Sequence, residues 1–246
     1  SPVIIIFSFL IGALFETKIE RLSLKVINSF WSLQKKHTCS DNEKLNAVAV
    51  SRSLIKDEKV IENNESWEIR KKKINLCLPN TAILLIDVWE SERNGKNDVI
   101  KNKVIQIQDE IIKPVINKLR LKGGLIVHSP NAAQISKGFL DKKSDINLNW
   151  TTYFPRKFQT IALFWILKAN GIDNLIYSGF STNICLYNRP HGILFTDNYS
   201  KYINRFLLKE GTSTFEFSGN GQPFRDDYIK FLEWQHLPSI SFEFLK

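Results

Sequence analysis

The chain has no methionine, and it holds three cysteines and four histidines in 246 residues. With methionine missing even as an initiator, the N-terminus reads as incomplete. Cys39, Cys77 and Cys185 are too few and too irregularly spaced for a disulfide framework or a thiolate metal cage. That favours a reducing, cytoplasmic compartment. The histidines at 37, 128, 191 and 236 show no clustered spacing. Catalytic zinc takes about three protein ligands, so no metal is expected. Zinc-finger spacing, a glycine-rich phosphate loop and internal repeats are all absent. The apolar run VIIIFSFLIGALF, Val3–Phe15, falls short of the roughly 20 residues that span a bilayer. It leaves three readings open: the end of a membrane helix, a signal-peptide core, or a helix packed on the domain. On the first reading Lys18, Arg21 and Lys25 place the downstream side in the cytoplasm.

What is present is ordinary for a soluble globular protein, 43% hydrophobic and 24% charged. The net charge of +9 is spread along the chain. Its densest cluster, Arg70–Lys73, reads as a solvated hinge rather than a nucleic-acid or lipid site, so no nucleic-acid partner is expected. Three regions emerge. Residues 1–36 are an apolar segment and an amphipathic helix (Ile19, Leu22, Val26, Ile27 and Phe30 at helical spacing), a membrane anchor or a packing arm. Residues 37–75 are a polar linker or arm, and residues 76–246 the folded domain.

Within the domain, TAILLIDVW (Thr81–Trp89), GGLIVHS (Gly123–Ser129) and DNLIYSGF (Asp173–Phe180) read as strands covered on both faces. Asp98–Leu121 reads as a helix that Pro114 should kink or divide. Phe158–Asn170 is an apolar helix ended by Gly171, and Asn183–Ile193 a helix behind the third strand. A strand over Tyr202–Leu208 and a helix over Phe224–Trp234 follow. Strands alternating with helices predict an α/β fold, a Rossmann-like three-layer sandwich with a parallel sheet.

Such sheets bind ligands at the carboxyl ends of their strands, where strand order reverses. Asp87 ends the first core strand, and Cys185 follows the third, in the first turn of the next helix. If those strands are neighbours, the two side chains face one crevice. A helix N-terminus favours the thiolate, an adjacent aspartate can accept the thiol proton, and free amides can receive an oxyanion. The bland alternative for Cys185 is a small apolar filler. Trp89, His128, Tyr187 and Arg189 are candidates to line a substrate pocket, each with packing or surface pairing as its competing role.

LLIDVWE, LIVHSP, ANGIDNLIYSGFSTNICLYNRPHGI and GTSTFEF together resemble the isochorismatase-like cysteine hydrolases, over roughly Pro79–Lys246. The family marks are an aspartate ending the first strand, GID-x-L, and G-x-x-T-x-x-C, matched here by Gly179, Thr182 and Cys185. The arginine–proline after the cysteine looks like a separate branch. The resemblance implies the isochorismatase-like hydrolase fold and hydrolysis of C–N bonds by a cysteine–aspartate–lysine triad. Cys185 would attack, Asp87 would take its proton, and the Ser181 and Cys185 amides would form the oxyanion hole. It also implies a cis peptide bond at Phe180–Ser181.

Where the lysine is expected, Asn147–Phe154 (NLNWTTYF) contains none; Lys143 and Lys157 flank the gap as candidates, Lys137 lies further back, and a site working without a lysine is the other reading. The nicotinamidase branch's D-x-H metal run is not matched by HSPNAAQ. The expectation is a metal- and cofactor-independent hydrolase of a small amide, carbamoyl or related C–N bond, with the self-association common in the family. The alternative is a non-catalytic binding or interaction protein on the same fold, attached to a membrane through residues 3–15. A lysine ammonium near Cys185 would favour the enzyme, and a crevice filled by Trp150, Tyr153 or Phe154 the alternative.

Overall fold

The computed structural model describes residues 18, 21–29, 37–54, 67–88, 98–130, 139, 141, 143–149, 151–153, 155–214, 221–235 and 237–245. Residues 3–15 lie outside these. Among the described residues no helix is long and apolar enough to cross a membrane.

The first element is a helix, α1, over residues 21–29. Its buried face carries Leu24 and Ile27, whereas Leu22 and Val26, expected on the apolar face, are exposed. Two long strands follow, β1 (Lys44–Leu54) and β2 (Trp67–Cys77), then β3 (Thr81–Ile86). Next come α2 (Asp98–Ile107) and α3 (Lys113–Leu121), joined by one π-helical stretch, Gln108–Ile112. Pro114 has no N–H to continue the α-helical ladder, so the expected long helix divides just ahead of it. The rest is β4 (Leu125–Ser129), β5 (Ile146–Asn147), α4 (Arg156–Ala169), β6 (Asn174–Phe180), α5 (Cys185–Asn188), β7 (Asn204–Ser213), α6 (Gly221–Trp234) and β8 (Ser239–Ile240).

The strands form one sheet in the order β2-β1-β8-β7-β6-β3-β4-β5. β3 through β8 pair in parallel, while β1 runs antiparallel to both β2 and β8. Strand alternation sorts the core. On one face Ile83 and Leu85 of β3 meet Val115, Ile116 and Leu119 of α3. On the other, Ala82, Leu84 and Ile86 meet Leu163, Phe164 and Leu167 of α4, with Ile229 of α6 and Leu24 of α1. This is the three-layer α/β arrangement expected.

Three expectations need correction. Residues 37–75 are not simply a linker: β1 and β2 pair along all eleven residues and extend the sheet. The signal in β1 is weak because its inward residues include the small Ala47 and Ala49. β2 lies at the sheet edge, where Arg70–Lys73 are exposed as expected but within a strand, and lysines there oppose pairing with another sheet. Second, Cys39 and Cys77 are joined in a disulfide. The strand register that sets Lys44 against Cys77 brings the two segments together. This removes the argument for a reducing compartment, since disulfides persist chiefly where conditions oxidise. Third, the helix expected over Asn183–Ile193 is only Cys185–Asn188. Pro190 disfavours helical backbone at Arg189, which is extended at φ −74°, ψ 161°.

Candidate active site

After β3 the chain turns back to β4 and β5, then crosses to β6, β7 and β8 on the other side. β3 and β6 are therefore neighbours at the reversal, paired from Thr81↔Asn174 to Ile86↔Gly179. Asp87 and the loop leading to Cys185 leave adjacent strands at the same carboxyl edge.

Each residue of the Gly179–Cys185 motif has a local reason. Gly179 has φ +124°, and a Cβ there would lie 2.0 Å from the Ile86 carbonyl oxygen, so no other residue fits where β6 closes on β3. Thr182 is fully buried and ties the loop to β7. Its amide donates to the Ser213 carbonyl at 2.7 Å, and its hydroxyl meets Thr212 Oγ1 at 2.6 Å. The Phe180–Ser181 peptide bond is cis, as expected. Cys185 opens α5, so its amide has no intrahelical acceptor. The Ser181 amide donates to Cys185 Sγ.

Asp87 is completely buried, and its φ of 49° puts it in the left-handed region that aspartate tolerates better than most residues. Its amide donates to the Ser129 carbonyl at 3.2 Å, fixing the end of β3 to β4. The Cys185 thiol donates to its carboxylate. A guanidinium spans the pair. Arg189 Nε donates to Asp87 Oδ2 at 3.1 Å, and Arg189 Nη2 lies 3.3 Å from Cys185 Sγ.

Burial, and then the Asp87 charge, push the Cys185 thiol up to about 11, with Arg189 and the Ser181 amide pulling the other way. The lowering expected from a helix N-terminus is thus outweighed: α5 has only four residues, and Cys185 is buried beside a carboxylate. At rest Cys185 is a thiol facing the Asp87 carboxylate.

Solved structures share this arrangement of strands and helices. A cysteine hydrolase from Pseudomonas syringae pv. phaseolicola superposes with a TM-score of 0.51 at 11% identity, over 69% of this chain and 94% of that one. An isochorismatase family protein from Desulfovibrio vulgaris subsp. vulgaris gives 0.51 at 13% identity, over 67% and 95%. The chain has the isochorismatase-like hydrolase fold. No family model and no curated protein matches the sequence.

On this isochorismatase-like sheet the remaining candidates separate. Lys143 is an exposed turn residue ahead of the edge strand β5. Lys157 is half-buried in the first turn of α4. Among the described residues, the cation in contact with Cys185 is Arg189, which the sequence offered as a pocket-lining or pairing residue; Lys137 lies outside the described residues. His128 is not a pocket residue. Its Nε2 lies 2.9 Å from Asp145, which also pairs with Arg120 from α3 on the other side of the sheet from Cys185. Burial works against the Asp145 charge, but hydrogen bonds from His128 and Arg120 hold its carboxyl well below the usual range. Tyr187 packs edge-on against Tyr228 of α6, centroids 6.0 Å apart. Trp89, Trp150 and Phe154 lie outside the described residues, and Tyr153 is 95% exposed, so it does not fill the crevice. Among the described residues no group of three or more His, Cys, Asp or Glu is arranged to hold a metal.

Two residues beside the site make contacts that the sequence did not specify. His191 is buried with Nδ1 2.7 Å from Ser129 Oγ, and burial pushes it down to about 4, so the ring is neutral. Thr160 of α4 donates to the Pro190 carbonyl at 2.6 Å. The sequence names neither contact, since both depend on how separate elements stack.

Proposed function

We propose that the protein is a cysteine-dependent hydrolase of a small amide, carbamoyl or related C–N bond, working through a thioester. The observation that carries the reading is the buried Cys185 thiol hydrogen-bonded to the buried Asp87 carboxylate at the carboxyl edge of the central strands. As Cys185 Sγ bonds to the substrate carbonyl carbon, its proton passes to Asp87 and the carbonyl π pair moves onto oxygen. The Ser181 and Cys185 amides are the donors proposed for that oxyanion. When the tetrahedral intermediate collapses, the C–N bond breaks, the Asp87 proton goes to the leaving nitrogen, and an acyl thioester remains. Water then attacks the thioester and gives a proton to Asp87. The C–S bond breaks, and the thiol recovers that proton. The sum is amide plus water to acid plus amine.

The test is a panel of small amides and carbamoyl compounds, with intact-protein mass spectrometry of quenched reactions. Turnover with an acyl adduct on Cys185, both lost in Cys185→Ala, is expected. No adduct and no turnover across the panel would turn the reading toward a binding protein on the same fold. The fold's occurrence in hydrolases supports the choice but does not set the substrate.

A further inference from the structure

Among the described residues, the positive charge seen against the Cys185–Asp87 pair is a guanidinium. The geometry points to Arg189 as a fixed cation of this site, a group that sets positive charge beside the Asp87 carboxylate and stabilises sulfur charge as the thiol proton leaves. The inference rests on the hydrolase reading for its catalytic meaning, but its charge effect on the thiol does not.

Two contacts carry it, Nε to Asp87 Oδ2 at 3.1 Å and Nη2 to Cys185 Sγ at 3.3 Å. One planar guanidinium therefore touches both the carboxylate and the thiol. The sequence spacing makes it reachable, because Arg189 stands four residues past Cys185 and its amide donates to the Cys185 carbonyl at 3.0 Å.

The turn that bears it is held from three directions. Thr160 Oγ1 of α4 donates to the Pro190 carbonyl, and His191 bonds Ser129 at the end of β4. The Gly192 amide donates to the Arg189 carbonyl at 2.7 Å, where a Cβ on Gly192 would lie 2.7 Å from the Leu186 carbonyl oxygen. Arginine, proline, histidine and glycine in the stretch NRPHG thus have one joint consequence: the guanidinium is aimed before substrate arrives.

The chemistry differs from that of a lysine site. A guanidinium does not give up its proton in a protein, so Arg189 itself carries no proton in the cycle. Arg189 contributes charge alone. An opposite charge at such a distance moves a titration by about one to three pH units.

The experiment is the labelling rate of Cys185 by neutral iodoacetamide between pH 7 and 10, read by mass spectrometry in wild type, Arg189→Gln and Arg189→Lys, with thermal midpoints recorded for each. Arg189→Gln should label at least about tenfold more slowly at pH 8, and Arg189→Lys should recover most of the loss. A Gln variant labelling at the wild-type rate, or a Lys variant no better than Gln, overturns the assignment. If the Gln variant does not fold, the Lys variant decides, with a tenfold loss counting against. Labelling needs no substrate. A charge effect without turnover on any amide would sink the hydrolase reading and leave the cation in place. Turnover unchanged in Arg189→Gln would do the reverse.

Discussion

Reducing the Cys39–Cys77 disulfide should weaken the fold while leaving the Cys185 site as it is. The bridge closes a segment with a sequence separation of 38. In the chain-entropy model a loop of that length costs the unfolded state about 13 cal/mol/K, or about 4 kcal/mol at 25 °C. Measured effects are often smaller, since unfolded chains keep some structure, so about 2–4 kcal/mol is expected. For a chain of this size that lowers the thermal midpoint by roughly 5–15 °C. The bridge lies ahead of the start of β3 and Asp87 follows its end, and six strand residues separate them by roughly 20 Å. Folded, reduced protein should therefore label Cys185 at the oxidised rate. The assay is thermal unfolding with and without a phosphine reductant, with alkylated thiols counted by peptide mass. Free Cys39 and Cys77 in protein never exposed to reductant, or a midpoint shift under 1 °C, would refute the reasoning.

Gly179→Ala places a methyl 2.0 Å from the Ile86 carbonyl oxygen at φ +124° and should cost upwards of about 3 kcal/mol in urea unfolding. Gly171→Ala, at φ +67° with nothing within 4 Å of the new Cβ, should cost only about 1 kcal/mol. Equal losses at the two positions would contradict the close approach of β6 to β3. His191 supplies a pH dependence. Burial lowers it from 6.5 to about 4, so its contribution is complete above about pH 6.5 and is lost as the pH falls toward 4, where the unfolded chain already binds the proton. Up to about 3 kcal/mol should disappear across that window, and His191→Asn should flatten the urea-midpoint curve there. A curve no flatter than wild type would mean the ring is not buried neutral.

Much of the core was legible because buried parallel strands announce themselves. Thr81–Ile86, Leu125–Ser129 and Asn174–Phe180 are nearly continuous apolar runs, and both of their faces are covered. The β1–β2 hairpin was not legible, because one strand buries alanines and the other is a charged edge. The disulfide followed from the register of that unseen hairpin. At the site, Asp87 and Cys185 could be paired from strand ends alone. Arg189 could be placed near Cys185 from its four-residue spacing, but its bond to Asp87 joins positions 102 residues apart, and only the packing of α5 over β3 and β6 creates it. The thiol's charge state failed for a related reason. Local sequence shows a helix start, whereas burial and a facing carboxylate set the titration.

The central claim is that Asp87 stands against the Cys185 thiol as its proton acceptor. The measurement that tests it most directly is the pH profile of Cys185 alkylation from pH 6 to 11 in wild type and Asp87→Asn. The claim predicts a wild-type rate still rising toward a midpoint near 11. In Asp87→Asn the midpoint should lie lower, because no carboxylate charge then opposes the thiolate. Superimposable profiles, or a wild-type midpoint near the ordinary thiol value of about 8.5, would contradict it.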